Sequence, residues 1–206
     1  MADFEFEKKF WDEGAKYIGG IDEAGRGPLA GPLVVACVIL PQDFLFKEVN
    51  DSKKLNDKQR RELYEKILIH AIEVKIDVIS SNIIDFKNIY MATKESMEYL
   101  AKNMNHKLDV VLVDAMELEN INIPSVSLIK GDCTSLSIAA ASIVAKVSRD
   151  NIMEVLDKKY PLYDFKNNKG YGTRKHLLAL EKYGACSEHR KSFKPVRDTF
   201  NLKLDI

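Results

Sequence analysis

The chain has no apolar run longer than the eight residues from Leu33 to Leu40, which lie between Pro32 and Pro41. A membrane span needs about 18 such residues, so none is expected, and this stretch reads as a buried strand. The first sixteen residues contain no apolar core and carry Asp3, Glu5, Glu7, Asp12 and Glu13. They do not read as a secretory signal, and a cytoplasmic protein is expected. Cysteine is scarce: Cys37, Cys133 and Cys186 are odd in number, far apart and without CxxC spacing. That excludes a disulfide framework and argues against a zinc site. Repeats, low-complexity tracts and Pro/Gly/Ser-rich linkers are also missing, so no multi-domain array is expected. Finally, neither sign of charge prevails, with 31 basic against 31 acidic residues, which speaks against a generic nucleic-acid binder.

What is present narrows the class. At 206 residues and 46% hydrophobic composition, the chain is long enough for one domain with a real core and too apolar to be disordered. Its charge is unevenly spread. Between Lys158 and Arg197 there are eleven Lys or Arg against Asp164, Glu181 and Glu188. A basic C-terminal segment beside an acidic body is the asymmetry of a protein with one face for a polyanion and another that collects carboxylates, although a merely solvated basic surface fits the charge alone equally well. We therefore divide the chain into a core, 1–160, and a C-terminal basic extension, 161–206, packed on the core within one continuous domain.

Periodicity gives the elements. Residues 17–23 and 33–40 cluster β-branched and aromatic side chains between glycine and proline, and their short link favours a hairpin. In 73–79, Val74, Ile76 and Val78 alternate with Lys75 and Asp77, a third strand. "LDVVLVDAM" is a continuous apolar run suited to a strand buried on both faces, ending at Asp114, and "VSLI" (126–129) is a fifth strand followed by Asp132. Helices are expected after the Asn56-x-x-Gln59 capping box, along Ile89, Met97, Leu100 and Met104, through "TSLSIAAASIVAKVSRDNIMEVLDKKY", and over 174–183. This order predicts an α/β fold: a five-stranded mixed sheet flanked by helices.

Asp22 and Glu23 sit together between apolar residues and a glycine-rich turn, "GIDEAGRGP". One strand-end aspartate is usually a turn residue. If the strand ending at Asp114 lies parallel beside the one bearing Asp22, however, both carboxylates reach the carboxyl edge of the sheet, where α/β folds place ligands, and Asp132 joins them. Such a cluster repels itself unless cations compensate it. Oxygen-only ligands suit Mg²⁺ or Mn²⁺, and a pair of such ions is the clamp of phosphodiester hydrolysis. Glu23 poses a separate problem, because neighbours on a regular strand point to opposite faces. Either the strand bends before Gly25, or Glu23 reaches round from the other side.

The blocks "GIDEAGRGPLAGPLVVA", "DSKKL", "VDA", "KGD", "IAAASIVAKVSRD", "NKGYGTRKH" and "HRKSFKP", in that order from about Tyr17 to Pro195, together resemble bacterial ribonuclease HII. The resemblance implies the ribonuclease H fold and hydrolysis of the RNA strand of RNA–DNA hybrids. It also implies cutting at single ribonucleotides embedded in duplex DNA, as in ribonucleotide excision repair, leaving 3′-hydroxyl and 5′-phosphate ends. The four metal-binding acids of that family fall on Asp22, Glu23, Asp114 and Asp132, which would hold two Mg²⁺ or Mn²⁺. Gly25, Arg26 and Gly27 match the loop that contacts the nucleotide bearing the 2′-hydroxyl, and Tyr171 matches the tyrosine that stacks on its ribose. Lys53 resembles a phosphate contact, and Ser142, Lys146 and Arg149, on one helical face, form a stripe suited to the substrate backbone. His176 belongs to the same substrate-binding set. The roles of Arg190 and Lys194, which flank Phe193, stay open. The partners implied are RNA–DNA hybrid and ribonucleotide-containing duplex DNA, with no membrane and a monomeric protein.

Three rivals are weaker. Ribonuclease HIII usually lacks the arginine of the glycine loop and carries an N-terminal platform, for which the roughly sixteen residues before the first strand are too few. An ATPase of the actin and sugar-kinase type needs a phosphate hairpin and a second lobe, and the sequence displays neither. A catalytically dead hybrid-binding module would not need four intact acids.

Overall fold

The structure is a computed structural model that describes residues 3–44, 49 and 55–201. Its elements run α1 (Glu5–Asp12), β1 (Ile18–Ala24), β2 (Leu33–Ile39), α2 (Asp57–His70), β3 (Glu73–Ile79), α3 (Ser81–Lys87), α4 (Ile89–Asn103), β4 (Val110–Asp114), β5 (Ser125–Leu128), α5 (Leu136–Lys159), α6 (Phe165–Asn168), α7 (Arg174–Tyr183) and α8 (Lys194–Asn201). The sheet has the order β3-β2-β1-β4-β5. β1 pairs with β4 and β4 with β5, both parallel. Among the described residues no helix is long and apolar enough to cross a membrane, and the three cysteines are free thiols.

Burial follows strand position. Every residue of β2 is buried, as a continuous apolar strand beside the sheet centre requires. The edge strands β3 and β5 mix partly buried with exposed positions. The capping box forms as expected: Gln59 N–H donates to Asn56 Oδ1 at 2.9 Å, and Asn56 N–H to Gln59 Oε1 at 3.1 Å.

The chain forms two compact units. The first comprises Met1–Ala24, Val35–Asp77 and Thr93–Val147; the second comprises Gly25–Val34, Val78–Ala92 and Ser148–Ile206. The unit that holds the C-terminal segment thus begins at Ser148 and takes in two earlier stretches.

In the first unit, Ile18, Val110, Leu112 and Ile138 form a cluster against which Phe6, Phe10 and Trp11 of α1 pack. Here α5 presses close to the sheet. A Cβ on Gly20 would stand 2.1 Å from the Ser137 carbonyl carbon, so only glycine fits. Glu7, fully buried, accepts from the Ser135 hydroxyl at 2.6 Å and from the Ser137 N–H at 2.9 Å. A carboxylate from α1 therefore caps the first turn of α5. In the second unit, Ala30, Met153, Tyr163, Phe165 and Ala179 make one core cluster, and Leu29, Leu180 and Val196 another.

Candidate active site

The acids gather in the first unit through strand register. β1 and β4 run parallel with Ile21 opposite Val113, so one step further brings Asp22 beside Asp114 at the carboxyl ends of both strands. β4 pairs with β5 with Asp114 opposite Leu128. The chain then turns through Lys130, in the left-handed region at φ 58°, into a short 3₁₀ turn, Gly131–Cys133, that carries Asp132. The Gly131 N–H donates to Asp114 Oδ1 at 2.6 Å, tying that turn to the tip of β4. β1 continues through Glu23 to Ala24, and the backbone breaks only at Gly25, where φ is 102°. The strand therefore does not end ahead of Glu23.

The electrostatics are those of crowded carboxylates. Asp22 and Asp132 are each 5% exposed, while Asp114 and Glu23 are half-buried. Burial pushes the Asp22 carboxyl well above its ordinary range, and the charges of Glu23 and Asp114 push it further. Hydrogen bonds from the Ser142 side chain and from the Glu23 N–H, the latter at 2.7 Å, oppose this. Ser142, half-buried on α5 and expected in the phosphate stripe, thus also touches the acid cluster. Two buried oxygens, Glu23 Oε2 and Asp132 Oδ1, accept no hydrogen bond, although both carboxylates are engaged elsewhere.

This oxygen-only set fits hard divalent cations. Among the described residues no three acids, histidines or cysteines form a ready ion cage.

The second unit carries the glycine loop and Tyr171. At Gly25 the positive φ demands glycine, and a Cβ would also stand 2.2 Å from Arg149 Nε. Gly27 differs: a Cβ there would meet the Tyr171 ring at an ordinary 3.5 Å, so the fold itself tolerates a side chain. Tyr171 is 47% exposed. Its N–H donates to the Asn168 carbonyl at 2.9 Å, and its own carbonyl accepts from the Thr173 N–H at 2.8 Å.

Two expected substrate contacts are corrected. Arg149 is 1% exposed, and its guanidinium donates to the carbonyls of Pro32 (2.9 Å), Lys169 (2.9 Å) and Ala30 (3.2 Å). It braces the loop from inside instead of meeting phosphate. His176 is fully buried, with Nδ1 2.8 Å from the Tyr171 carbonyl; it touches the tyrosine's backbone and cannot reach a substrate directly. Lys146 is half-buried on α5. Lys53, with Asp51 and Ser52, lies outside the described residues.

Sequence reasoning left Arg190 without a role. It is fully buried and donates to the carbonyls of Gly25 (2.6 Å), Arg26 (3.0 Å) and Gly31 (3.0 and 3.1 Å). No signal in its own block, "HRKSFKP", tied it to the glycine loop.

Comparison with known proteins gives the family and the fold. The family model described as Ribonuclease HII matches residues 19–196. Ribonuclease HII of Lactobacillus gasseri is 52% identical over 195 residues, covering 95% of this chain and 77% of the relative. Ribonuclease H2 from Pyrococcus horikoshii OT3 superposes with a TM-score of 0.83 at 23% identity, over 93% of this chain and all of that one. Bst-RNase HIII, solved in complex with Mn²⁺, gives 0.72 at 18% identity, over 90% of this chain and 70% of the other. At those identities the two structures attest the fold.

Proposed function

The chain belongs to the ribonuclease HII family, endoribonucleases that cleave the RNA of RNA–DNA hybrids, and on that premise we propose that it works with two Mg²⁺ or Mn²⁺ held by Asp22, Glu23, Asp114 and Asp132. We further propose that it cuts at single ribonucleotides in duplex DNA as a monomer in the cytoplasm, leaving 3′-hydroxyl and 5′-phosphate ends. The observation that carries this reading is the parallel register of β1 and β4, which sets Asp22 beside Asp114, with Asp132 drawn in by the Gly131–Asp114 hydrogen bond. Four acids at one sheet edge are stable together only with compensating charge. That Bst-RNase HIII was solved with Mn²⁺ lends support.

Held by Asp22, Glu23, Asp114 and Asp132, such cations would supply activation of a water and charge neutralisation at the leaving 3′-oxygen. The protein's own groups have distinct tasks. Ser142, by its hydrogen bond to Asp22, partly offsets the burial and the neighbouring charges that favour the protonated carboxyl. Gly25 and Gly27 let main-chain groups approach a 2′-hydroxyl, the group that tells RNA from DNA. The exposed ring of Tyr171, next to Gly27, offers a face for the ribose. That Gly27 is not demanded by the fold supports a role toward substrate. The basic extension, 161–206, is assigned to the nucleic-acid backbone.

The test is a duplex with one embedded ribonucleotide, incubated with and without Mg²⁺ or Mn²⁺, with the cut mapped to the nucleotide. Asp22→Asn and Asp132→Asn are each expected to abolish cleavage while the fold persists, because each removes a charged ligand at nearly constant shape. Near-wild-type turnover of either variant in ample Mg²⁺ would sink the metal assignment.

A further inference from the structure

We infer that the dipeptide His189–Arg190 sets the geometry of ribose recognition, its two side chains holding the Tyr171 turn and the Gly25–Gly27 loop respectively. This deepens the reading of Tyr171 given above and rests on it.

The argument starts from hydrogen-bond direction. His189 Nδ1 accepts the N–H of Cys186 at 3.0 Å, so the ring proton of neutral His189 sits on Nε2. That nitrogen faces His176 Nε2 at 3.1 Å. One of two facing nitrogens must accept, so His176 Nε2 carries no proton and its own proton is on Nδ1. From there it is donated to the Tyr171 carbonyl at 2.8 Å. The chain from the Cys186 N–H through both rings to Tyr171 has one direction and every member satisfied.

Both rings are buried, His176 fully and His189 to 1% exposure. The rings of Tyr163 and Phe165 stand 4.8 and 5.7 Å from His189, and Phe165 stands 5.4 Å from His176. Burial keeps both imidazoles neutral near pH 7, lowering His176 and taking His189 down to about 4, with the charge of the other ring adding to the latter shift.

Arg190 does the matching task on the other side. Its guanidinium ties the carbonyls of Gly25, Arg26 and Gly31 to one rigid plane, while its own N–H donates to the Leu29 carbonyl at 2.8 Å. The ring of Tyr171 and the Cα of Gly27 are thereby fixed beside each other. Neither His189 nor Arg190 is exposed, so both act through the residues they hold: they are positioning residues.

The experiment is a double-mutant cycle. His189→Phe keeps an aromatic ring and removes both nitrogens. On a duplex with one ribonucleotide it is expected to lower kcat/KM about tenfold. In a Tyr171→Ala background the same change is expected to cost no more than about twofold. His189→Gln, which retains a donor, is expected to recover part of the loss and serves if His189→Phe folds poorly. Independently, ¹⁵N NMR of wild-type histidines at neutral pH is expected to report the Nε2–H tautomer at His189 and Nδ1–H at His176. Equal losses in both backgrounds, no loss at all, or the opposite tautomer at His189 would overturn the inference. A Tyr171→Ala enzyme that matches wild type would instead overturn the stacking reading beneath it.

Discussion

Asp22 bears the cost of the acid cluster. Its carboxyl is pushed toward protonation first by burial and then by Glu23 and Asp114, so ionising it near neutral pH opposes folding. Asp22→Asn keeps an oxygen that can accept from the Glu23 N–H and removes the repulsion. Without metal, its melting temperature is expected to exceed wild type by several degrees, at about 2–4 °C per kcal/mol for a chain of this size. Mg²⁺ is expected to raise the wild-type value and to do less for the variant. A metal-free variant that melts below wild type would show that the carboxylate is stabilising, and would count against a cluster held apart for cations. The four acids were legible in the sequence because charged residues at apolar strand ends need a reason. Arg149 was misread because spacing shows which residues share a helix face but not whether that face is buried. Arg190 and His189 were illegible in role, since the groups they serve lie as far away as Gly25, 165 residues earlier.

At the scale of elements, β1 and the start of α5 form the tightest joint. Gly20 lets the Ser137 backbone come within a distance that no side chain allows, and Asp132 lies in the turn just ahead of α5. Gly20→Ala forces the helix away from the strand, at a cost of at least about 1–3 kcal/mol. The expected result is a melting temperature lower by several degrees and a steep loss of cleavage at fixed Mg²⁺. Normal stability and activity would mean that the helix yields without moving the acids. The five strands and the helices α2, α4, α5 and α7 could be read in advance because their periods and caps are strong. Four helices escaped. α3 has seven residues and α6 four, too few to establish a period, and α8 follows a turn with no distinct cap. α1 does carry a stripe, Phe6, Phe10 and Trp11, but those residues were read only for the absence of a leader.

For the whole molecule, zero net charge conceals a basic C-terminal segment. In the second unit Arg174 and Lys191 are exposed, whereas Arg149 is spent on carbonyls. Replacing Arg174 and Lys191 together by Ala is expected to flatten the slope of log affinity for hybrid against log salt, by up to about 0.9 for each phosphate that is no longer neutralised. Arg149→Ala is expected to lower stability and leave the slope alone. A slope unchanged by the double replacement would show that neither residue meets the nucleic-acid backbone. The pairing of β1 with β4 has a further consequence, in the time a ribosome takes. Ile18 waits for Val110, about ninety residues later, or roughly 5–20 seconds at about 5–20 residues per second. Through that interval β1 is an open edge of the nascent sheet, and Asp22 stands there in water without Asp114 to repel it. The strand that covers this edge also brings Asp114 to Asp22, and Asp132 follows only after β5, so a polypeptide stalled before Leu108 is expected to be inert however well its first three strands have folded.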